Sequence, residues 1–237
     1  ALKILSEKTS TSNEDLFSPL LIESRRCFVD KSIELKELAE YLNDEDLLIS
    51  SGKVIKNEEG HLVVQVKLKG KTFYIKKYRI KNLFHGISRV FKRTRAYNSC
   101  LSTLWLNAAG IQTAKILLFL EKKGFLGTRD SFLVTEGIEG ERLDKFLESN
   151  AGYDVSPNIE AFFKRMNWIR FSHGDTKTSN FFFNDKGLIT FDLDSSKRRF
   201  FRFSYKRAIS KDKKRILKSL EKHDHLHSKL SQRLLGN

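Results

Sequence analysis

The segment 171–194, FSHGDTKTSNFFFNDKGLITFDLD, constrains the fold more than any other part of the chain. It begins with a polar loop and continues with two apolar runs, 181–183 and 188–191, on either side of a turn that contains Gly187. Two hydrophobic runs of strand length joined by a glycine-containing turn predict a β-hairpin. Because the second run leads directly to Asp192, the hairpin would bring this carboxylate to the end of the sheet where the polar loop lies.

The polar side chains of this segment are the types that phosphoryl transfer requires. That reaction uses a carboxylate to orient and deprotonate an attacking hydroxyl, a cation near the transferred group, and oxygen ligands for magnesium. Asp175 is the candidate catalytic base, and Lys177 is the candidate cation. Asn180 and Asp192 are the candidate metal ligands. The structural alternative is a polar loop in which these side chains only cap turns.

The order of these residues resembles a known catalytic loop. The pattern H-x-D-x-K-x-x-N, followed by an apolar strand and an aspartate seventeen residues after Asp175, is similar to the catalytic loop and metal-binding aspartate of the protein-kinase-like superfamily. The resemblance implies a bilobal α+β fold with a small antiparallel-sheet N-lobe and a mainly helical C-lobe. We therefore expect an N-terminal tail and helix over 1–45, an N-lobe over 46–137, and a C-lobe with basic C-terminal helices over 138–237.

Local patterns predict the elements of these parts. Residues 1–18 are polar and favour a loosely held tail. Apolar spacing indicates a helix over 32–42 that Ser32 can cap. The remaining predicted elements are strands over 47–55, 62–68, 72–78, 114–120 and 131–135, a polar turn over 121–130, a helix that ends near Ala109 and is stopped by Gly110, and helices over 141–148 and 158–170.

The strand FYIKKY carries the candidate phosphate-binding lysine. By the resemblance, Lys76 occupies the position of the kinase lysine that contacts ATP, and Lys77 is the alternative one residue along. A solvated edge lysine is the structural alternative for either residue. Kinases place a glutamate on the following helix to pair with this lysine, but no glutamate occurs between Lys81 and Leu120.

Two further features concern nucleotide binding. Glu136 and Ile138 follow the strand over 131–135, at the expected hinge where kinases bind adenine through backbone groups. A strand followed by a plain loop fits these residues equally well. The turn over 57–60 lacks the G-x-G-x-x-G pattern that covers the phosphates in kinases. The resemblance nonetheless implies ATP and Mg²⁺ as cofactors.

The net charge of +15, from 44 Lys and Arg against 29 Asp and Glu, indicates a polyanionic partner. Charge alone does not distinguish nucleic acid, an anionic membrane and a phosphorylated substrate. After Asp194, cations alternate with Phe200, Phe201, Phe203 and Tyr205. This segment suits an anionic membrane surface or, through base stacking, nucleic acid. A solvated basic helix face is the structural alternative.

Cysteine content and hydropathy bear on the compartment. The two cysteines, Cys27 and Cys100, suit a reducing environment. No run of eighteen apolar residues occurs, and the first residues lack the apolar region and cleavage site of a signal peptide. We therefore expect a cytoplasmic protein.

Five segments together resemble a particular family. In order and spacing, these segments are similar to the bacterial lipopolysaccharide core kinases, the Kdo and heptose kinases of Gram-negative bacteria: FYIKKYR, RAYNSCLSTLWLNAAGIQT, SFLVTEGIEGERL, HGDTKTSNF and ITFDLDS. The resemblance covers roughly residues 45–215. It implies transfer of the ATP γ-phosphate to a Kdo or heptose hydroxyl of a lipid-linked, anionic inner-core saccharide. The protein would work at the cytoplasmic face of the inner membrane, bound peripherally.

Three alternatives remain at the level of the residues. Small-molecule kinases of the aminoglycoside type share the loop but bind cationic acceptors, which suit a chain of +15 less well than an anionic acceptor. A protein kinase carries A-P-E after the metal aspartate, whereas the prolines here are Pro19 and Pro157. A nucleic-acid-binding protein would explain the charge but not the loop, so we expect no nucleic-acid partner.

Overall fold

The structure, a computed structural model, describes residues 24–30, 35–79, 93–124 and 127–236. Over these ranges the chain forms twelve β-strands and seven α-helices. The strands are β1 (Ser24–Val29), β2 (Lys53–Glu58), β3 (His61–Leu68), β4 (Lys71–Tyr78), β5 (Gln112–Thr113), β6 (Ile116–Gly124), β7 (Gly127–Glu136), β8 (Glu141–Arg142), β9 (Phe171–Ser172), β10 (Phe181–Asn184), β11 (Gly187–Thr190) and β12 (Lys197–Arg198). The helices are α1 (Leu35–Asn43), α2 (Glu45–Ser51), α3 (Arg95–Ala108), α4 (Leu143–Ser149), α5 (Ser156–Trp168), α6 (Arg202–Ser219) and α7 (Asp224–Leu235). The predicted tail and the Ser32 cap lie outside the described residues.

Residue contacts divide the chain into two compact units. The first comprises the described residues up to Cys100 together with Lys115–Gly137, and the second comprises Leu101–Ala114 and the residues from Ile138 onward. The mixed α and β composition and the antiparallel sheet are confirmed. A bilobal kinase arrangement and the boundaries at 45/46 and 137/138 stay predictions. Among the described helices, none is both long and apolar enough to cross a bilayer.

The first unit is built on a six-stranded antiparallel sheet in the order β1-β6-β7-β4-β3-β2. The predicted strands over 62–68 and 72–78 are present as β3 and β4, and with β2 they form a three-strand antiparallel meander. Alternation along β4 sends Phe73 and Ile75 into a core that includes Leu38 of α1 and Leu48 of α2. Tyr78 enters a second core, which includes Ala96 of α3. The two faces of the sheet therefore pack against different helices.

The prediction of a strand over 47–55 is wrong in its first half. Residues 45–51 form α2, and the strand begins only at Lys53. Asp44 caps this helix, since its side chain accepts from the backbone N–H groups of Asp46 and Leu47. Glu45 and Asp46 add negative charge to the first turn, where the helix dipole favours it.

The predicted polar turn over 121–130 is also wrong for most of its length. β6 continues to Gly124 and β7 starts at Gly127, with Glu121 paired to Ser131 and Lys123 to Thr128. The other edge of β6 pairs with β1, a strand that local patterns had not indicated. Because β6 finds backbone partners on both sides, its strand extends through residues whose side chains are polar.

The second unit consists of helices packed around short strands. Its four-stranded sheet has the order β5-β11-β10-β8, and β9 pairs with β12 in a separate ladder. Residues of α4, α5, α6 and α7 form one apolar core with Phe171, Phe181 and Leu193. This core lies under both ends of the polar loop that precedes β10, so the loop is held at each end by buried side chains.

Candidate active site

The predicted hairpin is confirmed, and it carries two of the candidate residues at one end. β10 and β11 pair antiparallel, and their turn closes at the Asn184–Gly187 pair, where Gly187 has a φ of +103°. At the open end, the Phe191 N–H donates to the Asn180 carbonyl at 3.2 Å. This bond continues the ladder beyond the strands. Asp192 is therefore the next residue after Phe191, whose N–H is hydrogen-bonded to Asn180.

Asn180 holds the candidate base in place. Its Nδ2 donates to the Asp175 carbonyl at 2.8 Å and to Asp175 Oδ2 at 2.9 Å. Because both partners are acceptors, the amide nitrogen must lie on this side, and Asn180 Oδ1 is turned away from Asp175. Lys177 Nζ lies 3.1 Å from the same Oδ2, and the Lys177 and Asp175 side chains are 48% and 40% exposed. Both contacts engage Oδ2, so Oδ1 is the oxygen of Asp175 that can accept from a substrate hydroxyl.

Asp192 has a backbone conformation that non-glycine residues rarely adopt. Its φ and ψ are both 58°, at the start of a 3₁₀ turn over Leu193–Ser195. Such left-handed residues concentrate at functional sites. No group of three or more His, Cys, Asp or Glu side chains among the described residues could hold a metal alone. Magnesium, however, is commonly held by one or two protein oxygens together with water and phosphate. The Asp192 carboxylate and Asn180 Oδ1 fit that donor set.

A buried histidine connects the candidate residues. His173 Nε2 lies 2.9 Å from Thr190 Oγ1, and the Asp175 N–H donates to His173 Nδ1 at 3.3 Å. Since a backbone N–H only donates, Nδ1 is the acceptor and the ring proton belongs on Nε2. Burial lowers the pKa of His173, while the charges of Asp212, Asp192 and Asp175 oppose this shift. Asp175 and Asp192 therefore lie around one neutral imidazole.

We expect the protein to lose stability as the pH falls below about 6.5, the ordinary pKa of histidine. Burial lowers the pKa of His173 in the folded state, so the unfolded chain takes up a proton at higher pH than the folded chain does. The stabilisation is complete above the pKa that His173 has in the unfolded chain, and it is lost as the pH falls toward its pKa in the folded protein. The free energy of unfolding then changes by at most about 1.4 kcal/mol per pH unit. Urea unfolding between about pH 5 and pH 8 measures it.

The matched comparison for this prediction uses two histidine variants. His173→Asn should flatten the dependence of unfolding free energy on pH, whereas His225→Asn, at an exposed position on α7, should leave the slope unchanged. An unaltered slope in His173→Asn would show that other groups cause the loss of stability in acid.

Asp212 on α6, which sequence reasoning did not single out, anchors the loop. Its buried Oδ2 accepts from the His173 N–H at 2.8 Å and from the Gly174 N–H at 3.2 Å, and Oδ1 accepts from the Gly174 N–H at 3.0 Å. Thr176 Oγ1 donates to the Asp212 carbonyl at 2.6 Å. Burial raises the pKa of Asp212, and the N–H donors of Gly174 and His173 oppose this shift.

A signal for Asp212 was present in the sequence. It is the only acidic residue between Asp194 and Glu221, a stretch crowded with Lys and Arg. It also falls in register with Ile209 and Ile216, which are three and four residues away and are buried on α6. An acid on the apolar stripe of a helix needs buried hydrogen-bond partners, and the loop supplies them.

Gly174 permits the close approach of this loop to the turn after Asp192. Its φ is +88°, and a Cβ at this position would lie 2.7 Å from the Ser195 carbonyl oxygen. We expect Gly174→Ala to lower the free energy of unfolding by roughly 1–3 kcal/mol through backbone strain, with a further loss from the contact. The control is Gly152→Ala, because a Cβ there would meet nothing within 4 Å. Thermal unfolding compares the two, and equal stabilities would contradict the prediction.

The first unit places the two candidate lysines on opposite faces of its sheet. Lys77 shares a face with Phe73 and Ile75, and its ammonium pairs with the Glu45 carboxylate at the start of α2. Burial by itself would raise the pKa of Glu45. Hydrogen bonds from Arg79 and Lys77 outweigh it, so the pKa of Glu45 is lowered. Lys77 therefore serves the packing of α2 on the sheet. Lys76 lies on the other face and stays the candidate for the phosphate contact.

The predicted adenine contacts fall where the chain leaves the sheet. Glu136 is the last residue of β7, and its N–H donates to the Lys115 carbonyl at 3.0 Å. The Gly137 N–H donates to the Thr72 carbonyl at 2.7 Å. These two donors are used inside the first unit, so an adenine here would depend on carbonyl groups or on Ile138. The assignment of Glu136 and Ile138 stays a prediction.

Comparison with known proteins decides the family. A model described as the lipopolysaccharide kinase (Kdo/WaaP) family matches residues 46–235. The chain belongs to this family. No curated protein matches it. A solved structure titled WaaP in complex with acyl carrier protein is similar with a TM-score of 0.63 and 18% identity, covering 88% of this chain and 89% of that chain. At this identity the likeness shows a shared fold.

The family match bears on several predictions at once. The resemblance stated on five segments is confirmed, and this lipopolysaccharide kinase is a phosphotransferase acting on lipopolysaccharide core sugars. The expectation of an enzyme is therefore confirmed as well. The roles of Asp175, Lys177, Asn180 and Asp192 stay predictions that the geometry of the loop and hairpin supports.

Proposed function

We propose that this kinase transfers the γ-phosphoryl group of ATP to a hydroxyl of Kdo or heptose in the inner core of lipopolysaccharide. The observation that carries the proposal is the grouping around His173. Asp175 is held by Asn180, and Asp192 follows the residue that bonds to Asn180 across the hairpin. A base and two oxygen ligands suited to magnesium thus lie at one end of one hairpin, as phosphoryl transfer requires.

Asp175 orients the acceptor hydroxyl and takes its proton as the oxygen attacks. Its Oδ2 is engaged by Asn180 and Lys177, which leaves Oδ1 for the hydroxyl. Catalysis of phosphoryl transfer depends mainly on positioning and electrostatics, so a base held in one orientation is the main contribution of the loop. Lys177 adds positive charge where negative charge accumulates on the transferred group.

Asn180 and Asp192 would hold Mg²⁺ through Oδ1 and the carboxylate, and Lys76 would contact the phosphates of ATP. When bound, the metal neutralises phosphate charge and templates the transfer. The Phe191–Asn180 hydrogen bond and the left-handed backbone of Asp192 set the direction in which its side chain leaves the main chain.

Variants of the two neighbouring lysines should separate nucleotide binding from folding. We expect Lys76→Met to raise the KM for ATP about tenfold or more, the value of a charge-assisted phosphate contact. Lys77→Met should leave the KM for ATP unchanged and lower the unfolding free energy by about 1–3 kcal/mol, because it removes a partner from Glu45. Steady-state kinetics and thermal unfolding of both variants test this, and the reverse pattern would assign the phosphate contact to Lys77.

The acceptor should be anionic, because α6 presents cations beside the catalytic loop. Arg215 donates to the Gly174 carbonyl, one residue before Asp175, and its half-exposed guanidinium has further N–H donors available for an anion. Lys211, Lys214 and Lys218 are exposed on the same helix. A sugar that carries a carboxylate, as Kdo does, is attracted to such a surface, and a cationic acceptor is repelled.

We further infer that the acceptor is lipid-linked and that the enzyme works at the cytoplasmic face of the inner membrane, bound peripherally. The family description names lipopolysaccharide, whose core is built on a lipid anchor. The net charge of +15 suits the anionic lipids of a membrane leaflet.

The decisive experiment incubates the full chain with ATP, Mg²⁺ and lipopolysaccharide from a core-defective strain. Mass spectrometry of the product should show one added phosphate on Kdo or heptose. Parallel reactions contain an aminoglycoside or a model protein substrate at the same concentration. Phosphate transfer to either of these, with none to lipopolysaccharide, would contradict the proposed acceptor.

A further inference from the structure

Three phenylalanines at the start of α6 are more exposed than apolar side chains normally are. Phe200, Phe201 and Phe203 are 77%, 80% and 78% exposed. Single apolar residues on a surface are ordinary, but three within four positions form a patch. From the usual area of a phenylalanine side chain, the three rings expose roughly 400–500 Å². Patches of that size on single-chain proteins are often functional.

The backbone that carries these rings is anchored. Arg198 is paired in the β12–β9 ladder, and the Arg199 N–H donates to the Arg170 carbonyl at 2.8 Å. The Phe201 carbonyl accepts from the N–H of Tyr205, which is itself buried, at 3.0 Å. These hydrogen bonds fix the backbone that keeps the three rings at the protein surface.

A second element of the same unit extends the apolar surface. The Arg198 guanidinium lies 4.4 Å from the ring centroid of Trp105 on α3 and 5.7 Å from that of Phe200. The stacked Trp105 is 36% exposed. We define the aromatic–basic patch by residues from both elements: Trp105, Arg198, Phe200, Phe201, Arg202, Phe203 and Lys206.

Charged side chains around the rings are of one sign. The residues from 195 to 211 include no Asp or Glu, and the exposed charged side chains among them are Lys197, Arg198, Arg202, Lys206, Arg207 and Lys211. A cation in the first turn of a helix opposes its dipole, so Arg202 does not stabilise α6 through this interaction. The patch thus combines protruding aromatic rings with positive charge, in a segment that contains no acidic residue.

We propose that the aromatic–basic patch docks this kinase on an anionic lipid bilayer. The phenylalanine rings enter the boundary between headgroups and acyl chains, and the cations contact lipid phosphates. Exposed aromatic rings beside Lys and Arg match both layers of that boundary. The inference rests on the proposed function in one respect. If the acceptor is lipid-linked, the enzyme must approach an anionic bilayer to reach it.

The test measures binding of the full chain to vesicles of phosphatidylethanolamine and phosphatidylglycerol by sedimentation. The patch variant is Phe200→Ser/Phe201→Ser. The control is Val54→Ser/Ile55→Ser, a pair of adjacent exposed apolar residues on β2 of the other unit. We expect the partition coefficient to fall at least tenfold in the patch variant and to stay near wild type in the control. Equal falls in both variants would overturn the proposal.

A second pair of variants tests the charge. Arg202→Glu/Lys206→Glu and Lys164→Glu/Lys222→Glu change the net charge by the same amount at exposed positions. The first pair should lose at least tenfold in binding to anionic vesicles, and the second should lose much less, since each cation near the surface contributes about fivefold. Neither protein should bind phosphatidylcholine vesicles well. An equal loss in both pairs would show attraction by net charge alone and would overturn the patch.

Insertion can be observed directly, because the chain has two tryptophans, Trp105 and Trp168. In a Trp168→Phe background, the emission of Trp105 should shift to shorter wavelength when anionic vesicles are added. The absence of an emission shift would overturn docking on lipid. The same conclusion would follow if the Phe200→Ser/Phe201→Ser variant lost binding to an oligonucleotide but kept binding to vesicles, which would indicate another partner.

Activity on two acceptors separates this inference from the proposed function. With a soluble, deacylated core oligosaccharide, the Phe200→Ser/Phe201→Ser variant should match wild type, while its activity on acceptor embedded in vesicles should fall. An equal fall on the soluble acceptor would overturn docking as the reason. If the wild-type protein phosphorylates neither acceptor, the proposed function fails and the vesicle-binding result alone decides the patch.

Discussion

Asp175→Asn should lower kcat for phosphate transfer to core lipopolysaccharide by about 10²–10⁴, the usual contribution of a general base. Asparagine retains a carbonyl oxygen that can accept from Asn180 Nδ2, which lies 2.9 Å from Asp175 Oδ2 in the wild-type protein. The amide cannot take up the proton of the acceptor hydroxyl. The KM for ATP should stay near the wild-type value, because Asp175 is not among the groups assigned to the nucleotide. Steady-state kinetics with ATP and acceptor varied in turn measure both effects.

The matched control is Asp185→Asn in the turn of the same hairpin. Asp185 is exposed between β10 and β11, and its substitution removes the same charge at the opposite end of the hairpin. This variant should have wild-type kinetics. If Asp175→Asn retained more than about a tenth of the wild-type kcat, a general base would not be at this position.

Asp212→Ala should lower the free energy of unfolding by about 2–6 kcal/mol. It leaves the buried N–H of His173 and the partly buried N–H of Gly174 without an acceptor, and each such loss costs roughly 1–3 kcal/mol. We also expect a lower kcat at temperatures where the variant is folded, because the freed loop no longer positions Asp175. Urea unfolding gives the first quantity and kinetics the second.

A more conservative variant covers the case in which Asp212→Ala does not fold. Asp212→Asn keeps the shape and one acceptor oxygen, so its stability should lie between those of wild type and Asp212→Ala. Its kcat should still fall, because the amide nitrogen cannot accept from the loop N–H groups. Glu221→Ala, which removes an acid at an exposed position just after α6, should leave both quantities unchanged. Wild-type kcat in Asp212→Asn would show that Asp212 supports the fold without positioning Asp175.

Local sequence was sufficient for the hairpin and for the residues at its end. Strand residues 181–183, the Gly187 turn and the following Asp192 are set by nearest neighbours, since turn chemistry and alternation act over a few residues. The contact between Asn180 and Asp175 follows from a separation of five residues around one short 3₁₀ turn. These are short-range interactions, so the local sequence is enough to predict them.

Local sequence was not sufficient where two elements compete for the same residues. The run from Leu47 to Ile55 is apolar enough for a strand, yet capping by Asp44 makes its first part a helix. Residues 121–124 read as a turn, but pairing with β7 continues the strand to Gly124, and β1 pairs with it as far as Lys122. In each case a hydrogen-bond partner outside the apolar run decided the outcome, so the pattern within the run was ambiguous.

The sequence by itself determined the family and predicted a catalytic loop with its candidate base and metal ligands, because these depend on residue types at short, fixed spacings. Only the tertiary structure decided that Asp212 anchors the loop, that Lys77 pairs with Glu45, and that Trp105 joins Phe200 through Arg198 in one surface. The last contact joins residues about ninety positions apart in the sequence, and the others join residues more than thirty apart. Such contacts form only when helices and strands pack, so spacing along the chain carries little information about them.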